Sequence, residues 1–346
     1  MLLTARQIQI LNAIVDNYIR QAEPVGSRTI SKREDVNFSS ATIRNEMADL
    51  EEMGFLEQPH TSAGRIPSQK GYRFYVDHLL NPFELMPKDV RQIRQLFADR
   101  YYEAEQITNQ TAAILSSLTN YTSIVLGYEV KDARLKHIQF IPLNTTTAVA
   151  IIVTTTGKVQ NKTIQIPDGV PIHEIERLVN FLNFKLVGLP LRELKHHIHK
   201  ELTLELQKLL DNYESALQLL EDTFRTEAEE RVVLKGTTNI MMQPEFRDVE
   251  KVKEILDFLE SNDQLLKHFD TSAKGIQVKI GTENMEDAIN NCSIISATFH
   301  VDGLPLGTIG ILGPTRMEYG KVIGVVDFLA KDLSYLLERF YKGEGS

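Results

Sequence analysis

Three short segments, met in order within the first quarter of the chain, leave little freedom over what that quarter folds into. Pro24-Val25-Gly26-Ser27-Arg28-Thr29-Ile30-Ser31-Lys32 comes first. Ser39-Ser40-Ala41-Thr42-Ile43-Arg44-Asn45-Glu46-Met47 follows, and then Pro59-His60-Thr61-Ser62-Ala63-Gly64-Arg65-Ile66-Pro67. Before them, Thr4 is an N-cap candidate, with Ile8, Leu11, Val15 and Ile19 at helical spacing behind it. Pro24 and Gly26 end that helix, because proline cannot continue the ladder and glycine tolerates the turn. Ser27 is read as the cap of a short second helix with Ile30 inward. Asp35-Val36-Asn37 is turn chemistry, and Ser39 or Ser40 caps a third helix. A short serine-capped helix following another short helix is how a winged helix-turn-helix presents side chains to the major groove of DNA.

The spacing of the third helix fixes its faces. At about 100° per residue, Ile43, Met47 and Leu50 cluster on one side. Ala41, Asn45, Ala48 and Glu52 lie opposite, with Thr42 and Arg44 on the flanks. Alanines on an outward face let a helix sit deep in a groove. A threonine or alanine methyl can meet a thymine methyl, asparagine can pair with adenine, and arginine can fork onto guanine. Glu52 is expected clear of the phosphates. Taken alone, the helix also fits a structural three-helix unit with a polar surface. The next segment shifts the balance. Phe55 to Gln58 reads as a short strand, His60 to Gly64 as a loop, Arg65 to Ser68 as a return. Gln69 to Leu79 then reads as a helix with Tyr72, Tyr75, Val76 and Leu79 as its apolar stripe. From Gln58 to Val76 the chain carries Arg65, Lys70 and Arg73 and no carboxylate. A small-residue loop beside cations suits phosphates or a minor groove; an ordinary solvated hairpin is the bland alternative.

Ser39 to Met47, Pro59 to Pro67, Lys70-Gly71-Tyr72-Arg73 and the Pro24-Val25-Gly26-Ser27 element together resemble the bacterial HrcA family of heat-inducible transcription repressors. The resemblance is densest over residues 1 to about 80. It continues more loosely to Gly310-Ile311-Leu312-Gly313-Pro314-Thr315-Arg316-Met317 and Tyr319. It implies a repressor of chaperone operons that binds an inverted-repeat operator, CIRCE, as a homodimer, and is held active with help from the GroE chaperonin. It also implies an α+β fold in three parts. These are a winged helix-turn-helix (1–83), a discontinuous GAF-like α/β domain (84–133 and 231–346), and an inserted dimerisation domain of antiparallel sheet plus helices (134–230). The residues expected at DNA are Ser40, Ala41, Thr42, Arg44 and Asn45 on the recognition helix. Arg28, Lys32, His60, Thr61, Ser62, Arg65, Lys70 and Arg73 are expected at the wing and phosphates.

Charge qualifies this reading. The chain is acidic, −9 overall. Residues 1–80 hold nine cations and ten carboxylates, a balance of −1, so about −8 lies in the rest. A near-neutral DNA-binding unit on an acidic body should bind weakly alone, need two copies on one operator, and avoid random DNA. The single cysteine, Cys292, permits no intrachain disulfide and fits a reducing, cytoplasmic setting; its apolar surroundings mark a buried structural thiol. The first residues are amphipathic rather than signal-like. No apolar run approaches the ~18–20 residues that span a bilayer, so no membrane association is expected.

Beyond residue 80 the pattern is readable but chemically quiet. Asn81-Pro82 and Met86-Pro87 mark a linker. Asp89 to Thr119 reads as one long helix, and Tyr121 to Val130 as a strand. His137 to Pro142, Thr146 to Thr154 and Lys158 to Ile166 read as an antiparallel set. Helices dominate from Ile172 to Glu230, broken near Gly188-Leu189-Pro190. Strands return at Val232 to Met242, Gly275 to Gly281 and Cys292 to Leu312, around a helix from Val249 to Glu260. A last helix runs from Tyr319 or Gly320 to about Tyr341. The block from about 134 to 230 can be lifted out to leave one α/β domain.

His196 and His199 share a helix face but are flanked by Lys195 and Lys200, with no fourth ligand spaced to suit zinc. Gly303 to Gly313 contains several glycines, but Gly303-Leu304-Pro305-Leu306-Gly307 reads as strand–turn–strand rather than a phosphate loop opening a helix. No catalytic grouping stands out, so neither an enzyme nor a resident metal or cofactor is expected. A GAF-like body holding a small molecule would make the chain a ligand-gated regulator, the alternative reading.

Overall fold

The computed structural model describes residues 3–60, 64–80, 85–97, 104–127, 134–155, 159–166, 171–198, 200, 205–206, 213–223, 231–269 and 275–341. The chain divides into two compact units, Met1–Gly127 with Val232–Glu338, and Tyr128–Arg231 with Arg339–Ser346.

The first unit opens with α1 (Ala5–Gln21), α2 (Ser27–Ile30) and α3 (Ser40–Glu52). Thr4 caps α1 in a reciprocal capping box with Gln7, satisfying two otherwise orphaned N–H groups. Ile10, Leu11 and Ile14 of α1, Ile30 of α2 and Ile43 and Leu50 of α3 are fully buried. Each contributes about 1.5–3 kcal/mol by leaving water. Ser39, not Ser40, caps α3: its Oγ accepts the Thr42 amide at 3.1 Å. The expectation that Ser27 caps α2 is corrected. Gly26 holds the cap position with no side-chain bond, and the Ser27 hydroxyl sits 3.0 Å from that of Ser40. The wing is β1 (Leu56–Glu57) paired antiparallel with β2 (Ile66–Pro67), followed by α4 (Gln69–His78), capped by Ser68.

The same unit carries α5 (Pro87–Leu96), α6 (Ala104–Thr119) and β3 (Thr122–Gly127). The single helix expected over 89–119 is therefore two elements, and residues 98–103 lie outside the described residues. After the three strands of the second unit, the chain returns to this sheet with β7 (Arg231–Lys235), β8 (Ile276–Ile280), β9 (Cys292–Val301) and β10 (Leu304–Pro314). The sheet order is β7-β3-β10-β9-β8. β10 runs antiparallel to β3 and β9, and β8 antiparallel to β9. Asp302 and Gly303, both at positive φ, form the two-residue turn between β9 and β10. The strand expected over Val232–Met242 is shorter. Gly236 turns at φ +68°, and Thr237–Met242 is a 3-10 turn with Met242 81% exposed. Helices at Val249–Glu260 and Asn262–His268 and a final helix at Tyr319–Tyr341 follow. By the register, Ser123, Ile311, Ile295 and Ser293 share one face. There Ser123 donates to the Ala112 carbonyl of α6, and Ser293 bonds the Tyr319 hydroxyl of the last helix. Cys292 is buried, which pushes its thiol up to about 12.

The second unit holds β4 (Leu135–Pro142), β5 (Thr147–Thr154) and β6 (Val159–Gln165), in that order, antiparallel throughout. It also holds helices at Ile172–Leu186, Leu191–His197 and Tyr213–Thr223. Alternation along β5 buries Ala148, Ala150 and Ile152 against Leu178, Leu182 and Leu220. Asn183 locks helix to edge strand by accepting from the Ile138 amide at 2.9 Å and donating to its carbonyl at 2.7 Å.

Candidate nucleic-acid interface

The buried stripe of α3 leaves the opposite face to solvent. Ala41, Arg44, Asn45, Ala48 and Glu52 are exposed and Thr42 is half-buried. On the adjoining α2 and the turn after it, Arg28 and Lys32 are exposed. Among the described residues, the side chains of Arg28, Lys32, Arg44 and Asn45 have no hydrogen-bond or ion-pair partner. Glu46 is occupied by Arg6 at 3.1 Å and Glu51 by Arg65 at 2.7 Å, so two carboxylates of α3 are neutralised. The result is a helix face of small residues, one amide and one guanidinium, with Glu52 at its far end and two more cations beside it. It can read base edges with Arg44 and Asn45 and hold phosphates with Arg28 and Lys32. Ser40 stands apart from this set, since its hydroxyl ties α3 to α2 through Ser27. The Thr42 hydroxyl is 2.8 Å from Ser39, at the cap.

The wing is built differently. Val25 and Arg65 exchange both backbone hydrogen bonds at 2.9 Å, adding the segment before α2 to the wing. Gly64 makes this possible: a Cβ there would lie 2.4 Å from the Val25 carbonyl oxygen. His60 is exposed, whereas Thr61 and Ser62 lie outside the described residues. Arg65 turns back to Glu51. Lys70 donates to the Met53 carbonyl at 2.7 Å and lies over the Phe55 ring, 4.4 Å from its centroid.

Arg73 faces the body rather than the wing. Its Nε donates to Glu283 at 2.9 Å, its Nη2 to the Val278 carbonyl at 2.7 Å, and its Nη1 to Asp77 at 3.1 Å. The hydrogen bond to Glu283 chiefly raises its pKa. One turn earlier, Gln69 accepts from the Thr282 amide and hydroxyl at 3.1 and 2.7 Å. Arg316 donates to the Ile19 carbonyl in the last turn of α1 at 2.7 Å and pairs with Glu245. Sequence reasoning did not find these partners. Glu283, Val278 and Thr282 lie more than 200 positions from the α4 residues they hold, as Ile19 does from Arg316, and no local pattern announces them.

No helix among the described residues is long and apolar enough to cross a membrane. Residues 2–77 match the family model described as the winged helix-turn-helix transcription repressor, HrcA DNA-binding, and residues 105–323 match the HrcA protein C-terminal domain. The heat-inducible transcription repressor HrcA of Brevibacillus brevis is 58% identical over 336 residues, covering 97% of this chain and 98% of that one. Its counterpart from Halalkalibacterium halodurans is 53% identical over 341 residues, covering 99% of each. A crystal structure of a hypothetical protein at 2.2 Å shares the fold, with a TM-score of 0.65 at 24% identity, over 98% of this chain and all of that one. With its winged helix and its body both matched, the chain belongs to the HrcA family of heat-inducible transcription repressors.

Proposed function

We propose that this chain represses chaperone operons by binding an inverted-repeat operator of the CIRCE type as a homodimer, and that the GroE chaperonin keeps it active. The observation that carries the reading is the unpartnered face of Arg28, Lys32, Arg44 and Asn45 on an otherwise acidic chain. The recognition helices of two subunits enter successive major grooves on one side of the duplex, one helical turn or a multiple of it apart. The wing around His60 follows the backbone. RNA polymerase is then blocked sterically.

The three-part division into 1–83, a GAF-like body of 84–133 with 231–346, and an insertion of 134–230 is part of this proposal. The insertion supplies the dimer contact. Its sheet has one face on its own helices, whereas Val149, Ile151 and Val153 on the other face are half-buried and Ile141 and Val159 are 41% and 59% exposed. A second copy would cover that apolar face. Heating opens a marginally stable repressor. The apolar strands at 147–154 and 294–299 are then available to a chaperonin, which returns the chain to its folded form. When other clients occupy the chaperonin, less active repressor remains.

The test is binding of the full chain to a duplex carrying the inverted repeat and to a scrambled duplex, before and after mild heating, with and without chaperonin and ATP. Preferential binding to the repeat, lost on heating and restored by chaperonin with ATP, is expected. If chaperonin restores nothing, the feedback is wrong. If binding survives heating but ends on adding a small metabolite, the body is a ligand sensor instead.

A further inference from the structure

We propose that Arg73 and Gln69 of α4, with Glu283 and Thr282 of the body, form a latch that sets the angle of the winged helix, so that Arg73 is a positioning residue for operator binding and not a phosphate contact. The inference rests on the DNA-binding reading above and adds to it how the reading head is held.

Gln69 and Arg73 are one helical turn apart and so share a face of α4. Both reach the same short stretch of the body, β8 and the 3-10 turn Gly281–Asn284 that follows it. That stretch is prepared to receive them. Glu283 is fixed by accepting the Ile280 amide at 2.8 Å, which leaves its carboxylate aimed at Arg73. Gly281 turns at φ +57°, and a Cβ on it would lie 2.3 Å from the Gln69 amide, so the seat for Gln69 exists because no side chain fills it. The Arg73 guanidinium meets acceptors through Nε, Nη1 and Nη2. One of these is a carbonyl of β8, the edge strand of the sheet, which pairs only with β9 among the described residues. An arginine so engaged would have to break several charge-assisted hydrogen bonds before it could reach a phosphate.

The orientation matters because two heads must fit one duplex together. Joining two heads raises affinity only when geometry lets both engage. A latch that fixes the angle therefore acts on the full repeat and not on a single half-site.

The experiment uses the full chain in four forms: wild type, R73E, E283R and the double charge swap. A milder pair, R73Q and E283Q, removes the ion pair without adding repulsion. Each is titrated with a duplex bearing the inverted repeat and with one bearing a single half-site, over a range of salt. Weakening of about three- to tenfold on the full repeat is expected for each single variant. Half-site binding and the slope of log affinity against log salt should be unchanged, and the double swap should bind more tightly than either single. A slope reduced by about 1 in both Arg73 variants, with E283Q like wild type, would make Arg73 a phosphate contact and end the proposal. Equal losses on half-site and full repeat would end it too, as would a double swap no better than its parents. Wild type that binds neither duplex would sink the DNA-binding reading itself, whereas wild-type binding that no variant alters sinks only the latch.

Discussion

Two sets of cations, only a few dozen residues apart, have been given opposite circumstances by the fold. On the α2–α3 face, Arg28, Lys32 and Arg44 stand exposed and have no partner among the described residues. On the wing and α4, Arg65, Lys70 and Arg73 are engaged, by Glu51, by Met53 and Phe55, and by Glu283 with Val278. Residue type does not separate the sets; pairing does. An arginine already holding a carboxylate must give it up to bind a phosphate, so it contributes little to DNA affinity. An arginine with only water around it gives up nothing comparable. On the proposed function, the first set is the one left available to meet DNA, whereas the second is held inside the protein.

Substitutions can break this contrast. The largest effect is expected at the free face. Arg44→Ala and Asn45→Ala should each lose about 1–3 kcal/mol on the operator duplex, and much less on a scrambled one, if each makes a bidentate base contact. Titration of both duplexes decides it, and equal losses would move these residues to the phosphates. Next come the salt slopes. Arg28→Gln and Lys32→Gln should each lower the magnitude of the log–log slope by about 1, whereas Lys70→Gln should leave it unchanged. A reduced slope for Lys70→Gln would erase the distinction drawn here. The smallest effect is on folding. Arg65→Ala and Glu51→Gln should each destabilise the winged helix by no more than ~1 kcal/mol. Because the two share one interaction, the double variant should fall short of the sum in a denaturant titration. Strict additivity would show that the pair contributes nothing.

The free face was readable because it depends on local rules. A serine cap, an apolar stripe of Ile43, Met47 and Leu50, and the helical period together place Arg44 and Asn45 outward. The engaged set was not. Arg65, Lys70 and Arg73 were grouped as wing cations because no carboxylate lies between Gln58 and Val76, yet Glu51 lies just before that window and Glu283 far beyond it. The strand pattern of Val232–Met242 failed for a related reason. Apolar Ile240, Met241 and Met242 suit a strand, but Gly236 breaks the backbone direction and only Ile240 of the three is buried. The turn expected within Gly303 to Gly307 lies one step earlier, at Asp302-Gly303, because a two-residue hairpin needs positive φ at both positions and this dipeptide tolerates it.

The latch also sets an order of events during synthesis. Arg73 and Glu283 are 210 positions apart. A ribosome adding roughly 5–20 residues per second releases the winged helix tens of seconds before the residues that seat it. The capped helices and the Val25–Arg65 backbone pair are all local, so the head has what it needs to fold while the rest is still being made. A chain truncated before residue 283 would carry a folded head with no seat to aim it. Synthesis of β8 and the turn after it is thus a checkpoint: only a chain that has passed residue 283 can present its head at the set angle.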